Sequence, residues 1–194
     1  MPEKKLFLIL SILMGLVVIV SNYLVQFPIK YYNLENILTY GAFSYPITFL
    51  ITDLANRAFG KNLARVIVLI GFFIGISLTI FISTSFEDII SIRIAIGSAV
   101  AFIIAQNLDV NIFDKLRKKK WYVAPITSSL LGSIVDTALF FSIAFYGTGI
   151  PWLSLAFGDL IVKLLVALIM LIPFKLLLTK ISDVTDLKFR NLKY

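Results

Sequence analysis

The chain contains no cysteine and no histidine. Those absences remove thiol and imidazole nucleophiles, zinc sites built on them, iron–sulfur clusters and haem held by a histidine, and no cofactor is expected. Charge is scarce as well: Asp, Glu, Lys and Arg make up 15% of 194 residues, while 59% are hydrophobic and the mean hydropathy is +0.95. A soluble domain cannot hide that much apolar surface. The expected fold is an all-α polytopic membrane protein, a single transmembrane domain over residues 1–194 with the lipid bilayer as its solvent. Nothing resembles a phosphate-binding loop, so any use of ATP would require a partner.

Six apolar runs, at 6–25, 38–59, 63–83, 89–108, 122–146 and 152–178, each come near the ~20 residues a spanning helix needs. The first continues into Ser21, Asn22 and Tyr23 rather than a cleavage site, which predicts a retained span and not a signal peptide. Glu87 and Asp88 mark a tight acidic loop, Pro173 is the expected kink site of the sixth span, and 179–194 is expected as a polar, basic tail. With the N-terminus inside, the inner segments hold Lys4 and Lys5, then Arg57, Lys61 and Arg65. Next come Lys115, Arg117, Lys118, Lys119 and Lys120, then Lys175, Lys180, Lys188, Arg190 and Lys193. These are fifteen of the 18 basic residues; the outer loops hold only Lys30, and Arg93 and Lys163 lie within spans. The positive-inside rule therefore places both termini in the cytoplasm, and the net charge of +7 reads as topology rather than as a direct nucleic-acid surface.

Six spans with both ends inside give the halves opposite senses, the layout of a 3+3 inverted repeat. Spans two and five would then be equivalent, and each carries an aspartate: Ile51-Thr52-Asp53-Leu54-Ala55 and Ile134-Val135-Asp136-Thr137-Ala138. Gly71 and Gly75 in the third span have GxxxG spacing, which serves either packing inside the bundle or contact between protomers. A homodimer through this span is expected on that basis. In the fourth span Arg93, Gly97, Ala101, Ala105 and Asp109 recur every four residues, a small-residue groove with a charge at each end.

Asp53, Asp136, Asp159, Arg93 and Lys163 lie within spans, where each costs about 2.5 to 3.5 kcal/mol at mid-helix unless it pairs or lines a cavity. Lys163 is one turn from Asp159 and can neutralise it; Arg57 stands in the same relation to Asp53. Arg93, near its span's outer end, reaches the headgroups or a ligand. Asp136 has no basic residue within a turn, which predicts an unpaired acid near the midplane at the centre of a site. Ser129, Ser133, Asp136 and Phe140 share its face, and Tyr45, Phe49, Asp53 and Arg57 make one stripe of the second span. Gln106, Asn107 and Asp109 can read a polar ligand or cap the end of the fourth helix.

The segments SNYLVQFP (21–28), FSYPITFLITDLANRAFGKNLAR (43–65), AQNLDVNIFDKLR (105–117), SSLLGSIVDTALFFSIAFYG (128–147) and GDLIVK (158–163) resemble the queuosine precursor transporters, grouped also as vitamin uptake transporters. The resemblance implies inward transport of 7-cyano-7-deazaguanine and 7-aminomethyl-7-deazaguanine for tRNA modification. Such a base presents two adjacent N–H donors beside a carbonyl. Asp136 or Asp53 can accept the donors, Gln106, Asn107 or Arg93 can donate to the carbonyl, and Tyr45, Phe49, Phe140 and Phe141 can hold the ring. Two other readings stand beside this one. The substrate-binding subunit of an ATPase-coupled importer fits the same residues. An intramembrane aspartyl protease would use Asp159 in Ala156-Phe157-Gly158-Asp159 with Asp136, although Lys163 beside Asp159 opposes a dyad that shares a proton.

Overall fold

The protein is described here by a computed structural model that covers residues 3–83 and 88–191. Glu87 and Lys193 lie outside the described residues. Among the described residues seven α-helices follow one another: α1 (Glu3–Leu24), α2 (Gly41–Ser44), α3 (Pro46–Phe59), α4 (Lys61–Ser83), α5 (Ile89–Leu116), α6 (Val123–Phe145) and α7 (Trp152–Asn191). Five of them, α1 and α4 to α7, are each long and apolar enough to cross a membrane. The expected second span, 38–59, corresponds to α2 and α3 together. Pro46 opens α3, where its missing N–H costs no helical bond, and Tyr45 between the two helices keeps right-handed helical angles. Residues 41–59 thus extend about 28 Å at 1.5 Å per residue, close to the ~30 Å of the hydrocarbon core.

Three boundaries differ from expectation. The helix of the fourth span, α5, runs to Leu116 instead of 108, with Gln106, Asp109, Val110 and Phe113 buried along its last turns and Asn107 and Asn111 half-buried. Asn107 Nδ2 bonds back to Ile103 O at 2.9 Å and Asn111 Nδ2 to Asn107 O at 2.6 Å, so this stretch satisfies its amides along its own axis. The last helix continues through Pro173 to Asn191, beyond the tail boundary expected at 179. Pro28–Ile37, expected as a loop, contains a 3₁₀ turn at Tyr31–Asn33 and closes on itself through Ile29 N to Leu38 O at 3.0 Å.

The element ends have local causes. Asp88 caps α5, its carboxylate accepting from Ile90 N and Ser91 N at 3.1 Å each. Gly60 alone separates α3 from α4, with φ of 81°, an angle that favours glycine and lets the chain reverse in one residue. α5 lies along α6, and the small-residue groove is the reason: Gly97, Ala101 and Ala105 are buried, and a Cβ at Gly97 would come within 3.2 Å of Phe140 O. α1 lies along α4 in the same manner. There a Cβ on Gly71 would fall 2.1 Å from Met14 Cγ, and one on Gly75 2.5 Å from Val18 Cγ1. Both glycines of the GxxxG pair are therefore spent on contact with α1, which corrects their use as the motive for a dimer.

α7 packs on α6, α3 and α2, and turns Leu165, Leu168, Ile169, Ile172 and Leu176 outward. In lipid such side chains cost nothing, so their exposure marks the bilayer-facing side. The interior is different. Between α1, α3, α5, α6 and α7 lie Thr48, Thr52, Asp53, Asn56, Gln106, Asp109, Ser128, Ser133, Asp136, Asp159 and Lys163, all buried. They form two polar layers, one around Lys163 and one around Asp53.

Candidate functional site

The upper layer is built on Lys163 of α7. Its ammonium reaches Asp136 Oδ2 on α6 at 2.8 Å and Asp159 Oδ2, one turn back on α7, at 2.6 Å. A third bond goes to Thr137 Oγ1 at 3.2 Å, and Thr137 itself donates to Asp159 Oδ2 at 2.8 Å. All three ammonium hydrogens are used. Beneath them lies the ring of Tyr45, its centroid 4.9 Å from Nζ, so the cation is held from one side by two carboxylates and from another by a π face. Asp136, expected to be unpaired, is thus paired across helices to a lysine 27 positions away. The carboxylates outnumber the cation by one, so with all three groups ionised the cluster has a formal charge of −1.

Two buried polar atoms of this cluster, Asp136 Oδ1 and Tyr45 Oη, make no hydrogen bond of full geometry and act only on one another. Both residues border a void shared with Ser21, Asn22, Ser98, Phe140, Asp159 and Lys163. The void measures about 320 Å³, including the part continuous with the exterior. Its enclosed part has room for water only, so a bicyclic ring enters when Tyr45 and Phe140 separate. Above it a wider recess, bordered by Glu35, Asp88, Gln26 and Thr39, opens toward the end of the bundle that carries the 25–40 connection. Its two acids make the approach electronegative.

The other expected site residues lie elsewhere. Gln106 ties α5 to α3: its amide donates to Thr48 Oγ1 at 2.8 Å and accepts from Thr52, which uses both ends of the group. Asn107 is bonded to its own helix. Arg93 closes the far end of α6, with Nε on Ile143 O at 2.9 Å and Nη2 on Tyr146 O at 2.8 Å. Gln106 and Arg93 are cross-braces, Asn107 is tied within α5, and none of the three borders the void. Phe49 fills the space between the layers, where a Cβ on Gly132 would come within 2.6 Å of its ring. Ser133 is fully buried, and its hydroxyl has no partner.

Asp53 belongs to the lower layer. The expected pair with Arg57 does not form: Arg57 Nη1 turns to Arg117 O at 2.9 Å, and Asp53 accepts instead from Ser128 Oγ at 3.1 Å and Ser129 Oγ at 3.4 Å. The protease reading fails on the upper layer, because Asp136 and Asp159 share a lysine within 2.8 Å of each instead of sharing a proton.

The span of the chain that holds both layers, residues 39–178, matches the protein family described as "Putative vitamin uptake transporter". The chain belongs to that family. Among curated proteins, a Haemophilus influenzae protein named "Probable queuosine precursor transporter" is 34% identical, over 88% of this chain and 85% of its own. The Escherichia coli protein named "Queuosine precursor transporter" is 33% identical, over 92% and 90%. A Bacillus subtilis relative, also named "Probable queuosine precursor transporter", is 28% identical over 69% and 68%. No solved structure matches significantly. As a vitamin uptake transporter with five or more membrane-capable helices, it is a multi-pass protein of the bacterial inner membrane.

Three residues of this transporter's void were not singled out by sequence reasoning. Asn22 joins three helices, donating to Thr79 Oγ1 of α4 at 3.0 Å and accepting from Ser98 Oγ of α5. Ser21 pairs with Ser44 at 2.8 Å. The signal was present: Ser21 and Asn22 are an adjacent polar pair in an apolar run whose other polar side chain before them is Ser11, and a polar pair within a span asks for partners.

Proposed function

We propose that this transporter imports queuosine precursors, 7-cyano-7-deazaguanine and 7-aminomethyl-7-deazaguanine, and that it binds them at the Asp136–Lys163–Asp159 cluster. One observation carries the placement: Asp136 Oδ1 is a buried acceptor with no full hydrogen bond, and it borders a void together with the neighbouring Tyr45 hydroxyl, which also has none. A deazaguanine supplies the complement. Its two adjacent N–H donors meet Asp136 Oδ1 and the remaining lone pair of Oδ2, while Tyr45 Oη donates to its carbonyl. Phe140 offers a face for the ring. The formal charge of −1 suits the donor-rich edge of the base and equally an aminomethyl cation.

Both termini face the cytoplasm in this reading, since the end of the bundle carrying Arg57, Lys61, Arg65 and 115–120 is the basic one. The electronegative recess then opens outward, where a precursor arrives. Placing Asp136 about 20 Å along α6 from its start sets the site near the midplane, as alternating access requires. The test is uptake of labelled base by proteoliposomes, read together with queuosine in tRNA of cells that cannot make the precursor. Saturable uptake that unlabelled base competes away is the expected result; uptake equal to empty vesicles removes the proposal.

A further inference from the structure

The lower layer holds two acids with no cation. Asp53 of α3 is 2% exposed and Asp109 of α5 is fully buried. The two carboxyls come together against Ser128 of α6, near enough to act on one another. Asp53 accepts from Ser128 and Ser129, whereas neither oxygen of Asp109 makes a hydrogen bond of full geometry, and its polar neighbours are Ser128 and Asp53 itself. One turn from Asp53, Asn56 is fixed by its Nδ2 on Val110 O at 2.9 Å, next to Asp109, and its Oδ1 is likewise buried and unpartnered. The layer therefore holds more acceptors than donors, and its two acids are buried.

The charged groups around it point elsewhere. On α3, Arg57 is bonded to Arg117 O. On α4, Arg65 Nη2 goes to Asn111 Oδ1 at 2.9 Å. On α5, Arg117 pairs with Asp114 at 3.4 Å. On α7, Lys175 lies over Trp121, and Lys163 belongs to the upper layer. α6 brings only hydroxyls to this level. No salt bridge reaches Asp53 or Asp109 among the described residues. Two facing carboxylates cannot both stay ionised in such a place, and a single shared proton supplies the missing donor.

We propose that Asp53 and Asp109 form a proton-binding pair that couples import to the proton gradient. One proton is taken up between the two carboxylates, giving a carboxylic acid hydrogen-bonded to a carboxylate, and it is released to the cytoplasmic side after the transporter changes state. Depth agrees with that role. Asp109 is seven residues from the end of α5, so the pair lies about 10 Å from the basic face of the bundle. The pair also communicates with the upper layer along α6: Ser129, Ser133 and Thr137 succeed one another at four-residue steps, and the unpartnered Ser133 hydroxyl is the middle one. The inference rests on the transporter reading for its coupling step, and on the geometry alone for the bound proton.

Two measurements test it, the first without substrate. Infrared spectra of the purified protein at neutral pH should contain a protonated-carboxyl carbonyl band that Asp109→Asn and Asp53→Asn each remove, while Asp136→Asn leaves it in place. Absence of the band in the wild type, or its survival in both variants, overturns the proposal. In the second, proteoliposomes with the membrane potential clamped at zero receive a pH difference of one unit, acid outside. One proton per base supports up to about tenfold accumulation of labelled deazaguanine. Asp109→Asn should abolish accumulation yet retain exchange of internal for external base. Accumulation driven by sodium instead, or undiminished in Asp109→Asn, refutes proton coupling. Loss of all exchange in the wild type, with the infrared band present, condemns the substrate assignment and not the proton pair.

Discussion

Asp136→Asn probes the site with almost no change of volume, and the cluster dictates how the new amide must lie. Its carbonyl oxygen has to face Lys163 Nζ, at the place where Oδ2 now stands 2.8 Å away, because the amide NH₂ and an ammonium are both donors. The NH₂ is thereby forced into the position of Oδ1. An acceptor becomes a donor, aimed at the N–H edge of the ligand. Loss of one half of a bidentate base contact is worth about 1 to 3 kcal/mol, or roughly a 5- to 150-fold weaker affinity. Folding should suffer far less. Lys163 keeps Asp159 at 2.6 Å and Thr137 at 3.2 Å, so it is not left alone in the membrane. Titration calorimetry with each deazaguanine on detergent-purified protein, beside a thermal melt, separates the two effects. An unchanged Kd with an unchanged melt would refute the reasoning and assign Asp136 to the ion pair alone.

Lys163→Met should be the most damaging single change: it leaves Asp136 and Asp159 buried with no cation, a loss of about 3–5 kcal/mol that a thermal melt in detergent would register. Asp159→Asn is expected to be milder, since Lys163 has a second carboxylate, and a melt as low as that of Lys163→Met would contradict this. Gly71→Leu with Gly75→Leu should disrupt the α1–α4 contact and lower protein yield regardless of oligomeric state; full yield with a lost dimer would return the pair to an interface between protomers. Reporter fusions at Lys30 and Lys118 should report opposite compartments, with Lys118 cytoplasmic. Finding both on one side would dismantle the topology.

The spans were legible because a spanning helix must satisfy its own backbone and face lipid, so composition and length suffice to find it. Partners were legible only where they were local. Lys163 with Asp159 follows from i, i+4 spacing, whereas Lys163 with Asp136 joins different helices and leaves no periodic trace. The same blindness hid the lower pair: Asp109 stood at the supposed end of a span, where an acid invites reading as a cap, and nothing in the spacing brings it to Asp53. Arg93 and Gln106 show the opposite error. A polar side chain inside a span reads as a ligand contact, yet here Arg93 serves freed backbone carbonyls and Gln106 two threonines.

The long contacts of α1 with α4 and of α5 with α6 divide the bundle into two stiff hairpin-like pairs, with α2, α3 and α7 lying along the seam. Neither pair can bend within itself, since small residues bring its backbones too close together for sliding. On the proposed import reading, access to the void from alternate sides would come as rocking of one pair against the other. Asn22 on Ser98 joins the two pairs at the end opposite the basic one and Arg65 on Asn111 at the basic end, and both cross the seam directly. Opening one while the other holds turns a static bundle into a lever, with its pivot at the level of Gln106, midway along the seam.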